Sequence, residues 1–316
     1  MQVSRTSNRE NSRSRFEENT VDTKMLFISH LQKQIPTIIK QLYLNVKIRF
    51  LIILTLSASS VFAQSSSTLM GARAMGMGSA SSTLVDEWSL FNNIGGLGKV
   101  KQMSANFAYE AHPALPGANR MAASVLAPTK MGTVGLGIFR FGDDVYSEHL
   151  VSFGLGSSIG NTSLGAKANY IQYRAESFGM NTATSLDFGG ITQINSQLSI
   201  GAYITNLTQS KLIGTDGERL PTKLVAGFGF SPSNKISICT EIEKDLDYSI
   251  AMRAGLEYAI YHKVFFRTGF NMNPNAAYFG LGAQKRNIKI DFAIKFSQLM
   301  GAAQQASVIY LLPSKN

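Results

Sequence analysis

The chain has 316 residues, 16% charged and 44% hydrophobic, with 28 glycines, one cysteine and a formal net charge of +10. A soluble domain carries nearer ~25% charged residues, so this surface is built to meet something other than water. The basic excess is divided between residues 1–63 (9 Lys/Arg against 4 Asp/Glu) and 64–316 (21 against 16) with no dense stripe, which excludes nucleic acid as a partner.

Residues 1–46 begin with a polar stretch containing SNRENSRSRFEENT, the composition of a disordered tail. They read as a disordered or non-native extension, the latter if the start lies at Val46. Residues 47–63, KIRFLIILTLSASSVFA, have the three parts of a signal peptide. Lys47 and Arg49 supply the basic region, Phe50 to Leu56 the apolar core, and Val61-Phe62-Ala63 the cleavage site, leaving Gln64 as the mature terminus. The apolar run is shorter than the ~20 residues a spanning helix needs.

Residues 64–101 are small and glycine-rich at first and end in WSLFNNIGGLG. This composition suits a short helix or irregular coil packed inside a larger shell. The candidate residues here are Arg73, Asp86, Glu87, Trp88, Asn92 and Asn93. Two readings of the polar ones stay open: a latch that moves to open a path, or a segment fixed by hydrogen bonds to a surrounding wall. A buried charge needs a partner under either reading. Trp88 reads as a packing anchor.

From residue 102 onward, short alternating runs predict fourteen strands. They cover 102–110, 119–127, 132–140, 147–158, 162–173, 180–193, 197–206, 222–230, 235–243, 249–258, 263–270, 275–285, 287–296 and 304–312. The number is even, and many runs approach the ~9–11 residues that a tilted membrane strand needs. Their connections alternate between longer loops, such as EAHPALPG and TQSKLIGTDGERL, and tight turns, such as GNT and RN. That asymmetry predicts an all-β antiparallel transmembrane β-barrel over 102–316 in the bacterial outer membrane.

Period-two alternation assigns the faces. Ile288, Ile290, Phe292, Ile294 and Phe296 share one face and Lys289, Asp291 and Lys295 the other. The same rule places Glu241, Glu243, Arg253, Glu257 and Arg267 opposite apolar neighbours. These eight charges are predicted to face the lumen, as pairs filling the interior or as a substrate-guiding ladder, while the apolar set meets lipid. A soluble β-sandwich would show the same period with the apolar set facing inward.

The segment Gly71-Ala72-Arg73-Ala74-Met75-Gly76-Met77-Gly78-Ser79-Ala80, followed by Asp86 and Asn92-Asn93-Ile94-Gly95-Gly96-Leu97, resembles the opening of FadL-type outer-membrane transporters and their PorV/PorQ-type relatives. The resemblance implies a fourteen-stranded barrel with an N-terminal plug. It departs where Asn93-Ile94-Gly95 replaces an Asn-Pro-Ala core. Two functions follow from it. One is a surface platform for exported or secretion-system proteins of the PorV/PorQ type, and short loops with a charged lumen favour it. The other is a FadL-like channel for small hydrophobic molecules, which needs an exit such as a break in strand pairing at Gly154-Leu155-Gly156 or Gly189-Gly190. Neither requires a cofactor or a metal. The spacing of His112, His149 and His262 identifies no nucleophile and base set, so no enzymatic role is expected.

Overall fold

The computed structural model describes residues 67–176, 179–213, 219–246, 248–298 and 300–313. The expected leader over 47–63, its cleavage after Ala63 and the extension 1–46 lie outside the described residues.

Ala72–Gly76 makes one helical turn and Ile94–Lys99 a 3-10 turn. Fourteen strands follow: β1 Ser104–Ala111, β2 Arg120–Thr129, β3 Gly132–Gly142, β4 Tyr146–Ile159, β5 Thr162–Ala175, β6 Gly179–Gln193, β7 Leu198–Thr205, β8 Lys223–Ser233, β9 Ile236–Asp245, β10 Ala251–Tyr261, β11 Val264–Met272, β12 Ala276–Lys285, β13 Ile288–Ser297 and β14 Gly301–Leu311. Each is antiparallel to its chain neighbours, and β1 closes on β14 from Ser104↔Leu311 to Ala111↔Gln304. The closed barrel leaves no sheet edge, which removes the unpaired N–H and C=O groups that an open sheet exposes.

One end of the barrel carries only the turns 130–131, 160–161, 194–197, 234–235, 262–263 and 286–287. Positive φ at Gly160 (58°) and Arg286 (52°) lets two of these hairpins reverse in two residues. The other end carries two long connections, 112–119 and 206–222, and five short ones. The predicted asymmetry is therefore softer than expected, because pairing extends into residues read as loop. β3 runs to Gly142, β6 starts at Gly179 and β14 starts at Gly301.

The polarity of the shell is inverted relative to a soluble barrel. Ile138, Phe153, Phe228 and Ile290 are each more than half exposed on the outside, while Glu241, Arg253, Arg267 and Asp291 are buried within. This arrangement overturns the sandwich alternative, which requires the apolar face inward. Against water the exterior would forfeit roughly 25 cal/mol for every Å² of apolar surface; against hydrocarbon it costs nothing.

Residues 67–101 run through the lumen in contact with inward positions around the wall. Gly78 shows why the sequence there must be small. It has φ 70°, and a Cβ on it would lie 2.8 Å from the Phe270 carbonyl oxygen and 2.9 Å from its amide nitrogen. A Cβ on Gly76 would come within 3.1 Å of the Gly280 Cα. At both points backbone packs on backbone, so the glycine pair forms the seat of the segment on β10–β12. On the other side Leu90, Ile94, Leu97 and Phe139 join Trp88 and Phe91 in a buried apolar cluster.

The glycine sites read as breaks in strand pairing are not breaks. β4 and β5 pair without interruption from Tyr146↔Ala175 to Ile159↔Thr162, and β5 and β6 from Ala175↔Gly179 to Thr162↔Thr192. Gly154 and Gly156 instead make room for Ile94 and Leu97, and Gly189 for Asn93. The shortest pairing lies between β6 and β7, from Phe188↔Ile204 to Gln193↔Ser199. Beyond it the chain after Thr205 takes over beside β6, where the Leu207 N–H donates to the Leu186 carbonyl at 2.7 Å and the Ile213 N–H to that of Thr182 at 2.9 Å.

Candidate functional site

The luminal charges fall into chains of cross-strand pairs. Arg253 and Glu241 are direct register partners, joined at 2.8 Å, and Arg253 also donates to Glu243 at 2.5 Å. Glu243 accepts from Lys223 at 3.5 Å. Glu257 and Arg267 are likewise register partners, at 2.5 Å. Arg267 then spans β12 to reach Asp291 on β13 at 2.7 Å. Gly282 opens that path, since a Cβ on it would fall 2.5 Å from the Arg267 guanidinium. Lys295 sits 6.0 Å from the Tyr278 ring centroid.

The N-terminal segment is tied into these chains. Glu241 accepts the backbone N–H groups of Ser81 and Ser82 at 2.8 and 2.7 Å. Arg73 grips Glu257 through two bonds, at 2.7 and 3.0 Å, and lies 3.4 Å from Asp86. Burial opposes the Arg73 charge, but Glu257 and Asp86 outweigh it and hold the guanidinium above its ordinary value. Burial also pushes the Asp86 carboxyl up, an effect that Arg73 only partly offsets. Asp86 accepts the Trp88 N–H at 2.9 Å. Glu87 meets Lys289 at 2.8 Å.

Asn92 and Asn93 act on backbone. Asn92 donates to the Met70 carbonyl at 3.0 Å and accepts its N–H at 3.3 Å, as a second peptide group would. Asn93 caps the 3-10 turn by accepting the Gly95 N–H at 2.9 Å, and it donates to the carbonyls of Ser82 and Gly190. Trp88 is buried beside Phe91, with ring centroids 6.1 Å apart. Arg73, Asp86, Glu87 and Asn92 thus each have a hydrogen-bond or ion-pair partner.

Above this segment, toward the loop end, lies a cavity of about 100 Å³. Phe91 contributes to its lining from below, with Phe139, Leu150, Ile171 and Val225 from the wall. Interleaved with this apolar arc are Lys167, two residues below Asn169 on the strand of Ile171 and paired with Asp187 at 3.1 Å, and Lys223 and Glu243 beside Val225. Asn169 bonds Ser152 and Ser185 in a ladder across β4–β6. Asn206, at φ 50°, fastens the rim of the cavity. Its N–H donates to Asp187 at 2.9 Å, and its amide to the Leu220 carbonyl at 2.9 Å and the Thr222 hydroxyl at 3.2 Å. A second cavity of about 470 Å³, open and polar, lies at the turn end, where Arg73 and Glu257 face Gln197 and Ser237.

The sequence reading missed Lys167, Asp187 and Glu110. Period two applied to β5 and β6 would have found the first pair, because Lys167 and Asp187 alternate with Ala166, Ala168, Leu186 and Phe188. Glu110 lies next to the end of β1 and binds Arg120, His112 and Gln305. Among the described residues no group of His, Cys, Asp and Glu could hold a metal ion.

No protein-family model matches the chain, and no curated protein matches it. Solved structures with the same fold do. A structure described as the CymD monoaromatic hydrocarbon channel is 11% identical, covering 80% of this chain and 100% of its own, with a TM-score of 0.58. The Pseudomonas putida toluene transporter TodX is 12% identical over 80% of this chain and 99% of its own, at 0.57. The Ralstonia pickettii toluene transporter TbuX is 12% identical over 77% and 97%, also at 0.57. At these identities the likeness is one of fold: a closed fourteen-stranded antiparallel barrel.

Proposed function

We propose that the chain is an outer-membrane channel for small hydrophobic molecules, with residues 67–101 as its plug. The observation that carries this reading is the cavity between Phe91 and the apolar arc of Phe139, Leu150 and Ile171. Its volume of about 100 Å³ is of the same order as the ~150 Å³ apolar cavity that accepts benzene. The apolar exterior supports a membrane setting, and the titles of the similar structures, hydrocarbon channel and toluene transporter, support the solute class. With the turn end toward the periplasm, a solute enters from the loop end, desolvates against Phe91 and Phe139, and leaves past the plug. The surface platform for exported proteins, the first expectation from the sequence, has no support among the similar structures.

Trp88 is the chain's one tryptophan and touches the cavity wall through Phe91, so its fluorescence reports occupancy. Titrating the purified protein in detergent with toluene is expected to change that emission saturably. Ile171→Phe, which narrows the cavity, is expected to weaken the response about tenfold, the effect of ~1.4 kcal/mol. A linear response without saturation, unchanged in the variant, would mean partition into detergent and would defeat the proposal.

A further inference from the structure

On the outward face of β3–β5 the apolar band stops short of the loop-end rim. Leu136 lies opposite Phe153, and the next row toward the rim is Ile138, Val151 and Tyr170. The row after that is Arg140, His149 and Gln172, with Arg174 one step further out, opposite Ser147. On β10–β13 no such change occurs. Met252 pairs with Met272 near that rim, and Phe270 with Ala277, which pairs in turn with Phe296. β9 carries Lys244 outward opposite Leu224, and the sector β3–β5 differs in grouping Arg140, His149, Gln172 and Arg174 in adjacent rows.

The arginines of that sector differ from those of the lumen. Arg73, Arg120, Arg253 and Arg267 each have a carboxylate partner. Neither Arg140 nor Arg174 has one among the described residues. The Arg140 Nε is buried without an acceptor, as are those of Arg120 and Arg253, so what sets Arg140 and Arg174 apart is the missing carboxylate. β3 and β5 are two strand spacings apart, about 10 Å, a gap that two arginine side chains can close from either side of His149. Two guanidinium groups on one outward sector offer a phosphate the paired N–H donors that its oxygens accept. The depth fits as well, since Tyr170 lies one row inward and tyrosines mark the boundary between hydrocarbon and headgroups.

We propose that Arg140, His149 and Arg174 form a binding site for a phosphate-bearing lipid headgroup at the loop-end membrane interface. The proposal rests on the membrane-spanning reading but not on which solute crosses. Binding there would engage the terminal guanidinium nitrogens of Arg140 and Arg174 and hold one annular lipid against β3–β5, whose inward faces contribute Phe139, Leu150 and Ile171 to the cavity.

The test compares two lipids that differ in the phosphate alone. The full-length protein is placed in phosphatidylcholine nanodiscs doped with phosphatidic acid or with diacylglycerol, and the lipid retained after release is read by native mass spectrometry. Wild type is expected to retain phosphatidic acid and not diacylglycerol. Arg140→Gln and Arg174→Gln are each expected to lower retention about tenfold or more, while Lys244→Gln, at the same end but outside the patch, leaves it unchanged. Folding of each variant is checked by its heat-dependent electrophoretic shift. Equal retention of the two lipids, or equal retention by wild type and the folded arginine variants, overturns the proposal. Displacement by inorganic phosphate as readily as by phosphatidic acid overturns the lipid as the source. Failure of wild type to insert overturns the membrane reading along with the site.

Discussion

Glu241 does two jobs that can be separated by substitution. Its carboxylate balances Arg253 and also receives the Ser81 and Ser82 amides. Glu241→Ala leaves a buried guanidinium with only Glu243 and strands two buried N–H groups. Breaking a buried pair costs about 3–5 kcal/mol, so unfolding in urea from detergent is expected at a clearly lower midpoint. Glu241→Gln, which keeps one acceptor, is expected to lose less. A midpoint unchanged in Glu241→Ala would show that the segment is not held there. Asp86 supplies a pH test. Its carboxyl is raised by burial, so the folded state favours the protonated form and loses that advantage as pH rises through the folded value. Asp86→Asn, which keeps an acceptor for the Trp88 amide, is therefore expected to be more stable than wild type at neutral pH. The gap should close as pH falls below the ordinary carboxylate range. A gap that widens in acid would contradict this account.

At the scale of elements, glycines in the wall decide where the plug and the ion pairs can lie. Gly282 leaves room for the Arg267 guanidinium on its way to Asp291. Gly282→Val is expected to break that pair and destabilise the barrel by about 3 kcal/mol, while Ala283→Val, on the outward face of the same strand, is expected to change stability by less than about 0.5 kcal/mol. Equal effects would mean that strand propensity, not the ion pair, sets the cost. The strands themselves were legible in the sequence because period two and turn residues are local signals, and all fourteen expected strands are present with ends shifted by a few residues. Which inward charge meets which was not legible. Alternation gives the face, but partners depend on register. Arg253 facing Glu241 and Arg267 reaching past β12 follow from pairings set by the whole closed sheet. Asn206 carried no signal at all in the sequence, since its role depends on Asp187 and Thr222 arriving from two other strands.

For the molecule as a whole, the lumen has two unlike halves. β9–β13 are cross-linked by charge and hold the segment around Gly76, Gly78 and Ser81. β3–β8 carry the apolar arc, and there a connecting segment takes the place of continued β7 pairing beside β6. A route through the protein would therefore run along the second half, with Asn206 fastening its rim. The measurement that tests this most directly is uptake of radiolabelled toluene by cells expressing the wild-type protein, the cavity-narrowing Ile171→Phe or no protein, at matched amounts of heat-modifiable barrel in the outer membrane. The account predicts faster uptake with wild type than with either of the others. Equal uptake in all three, with the barrel folded and in place, would contradict it.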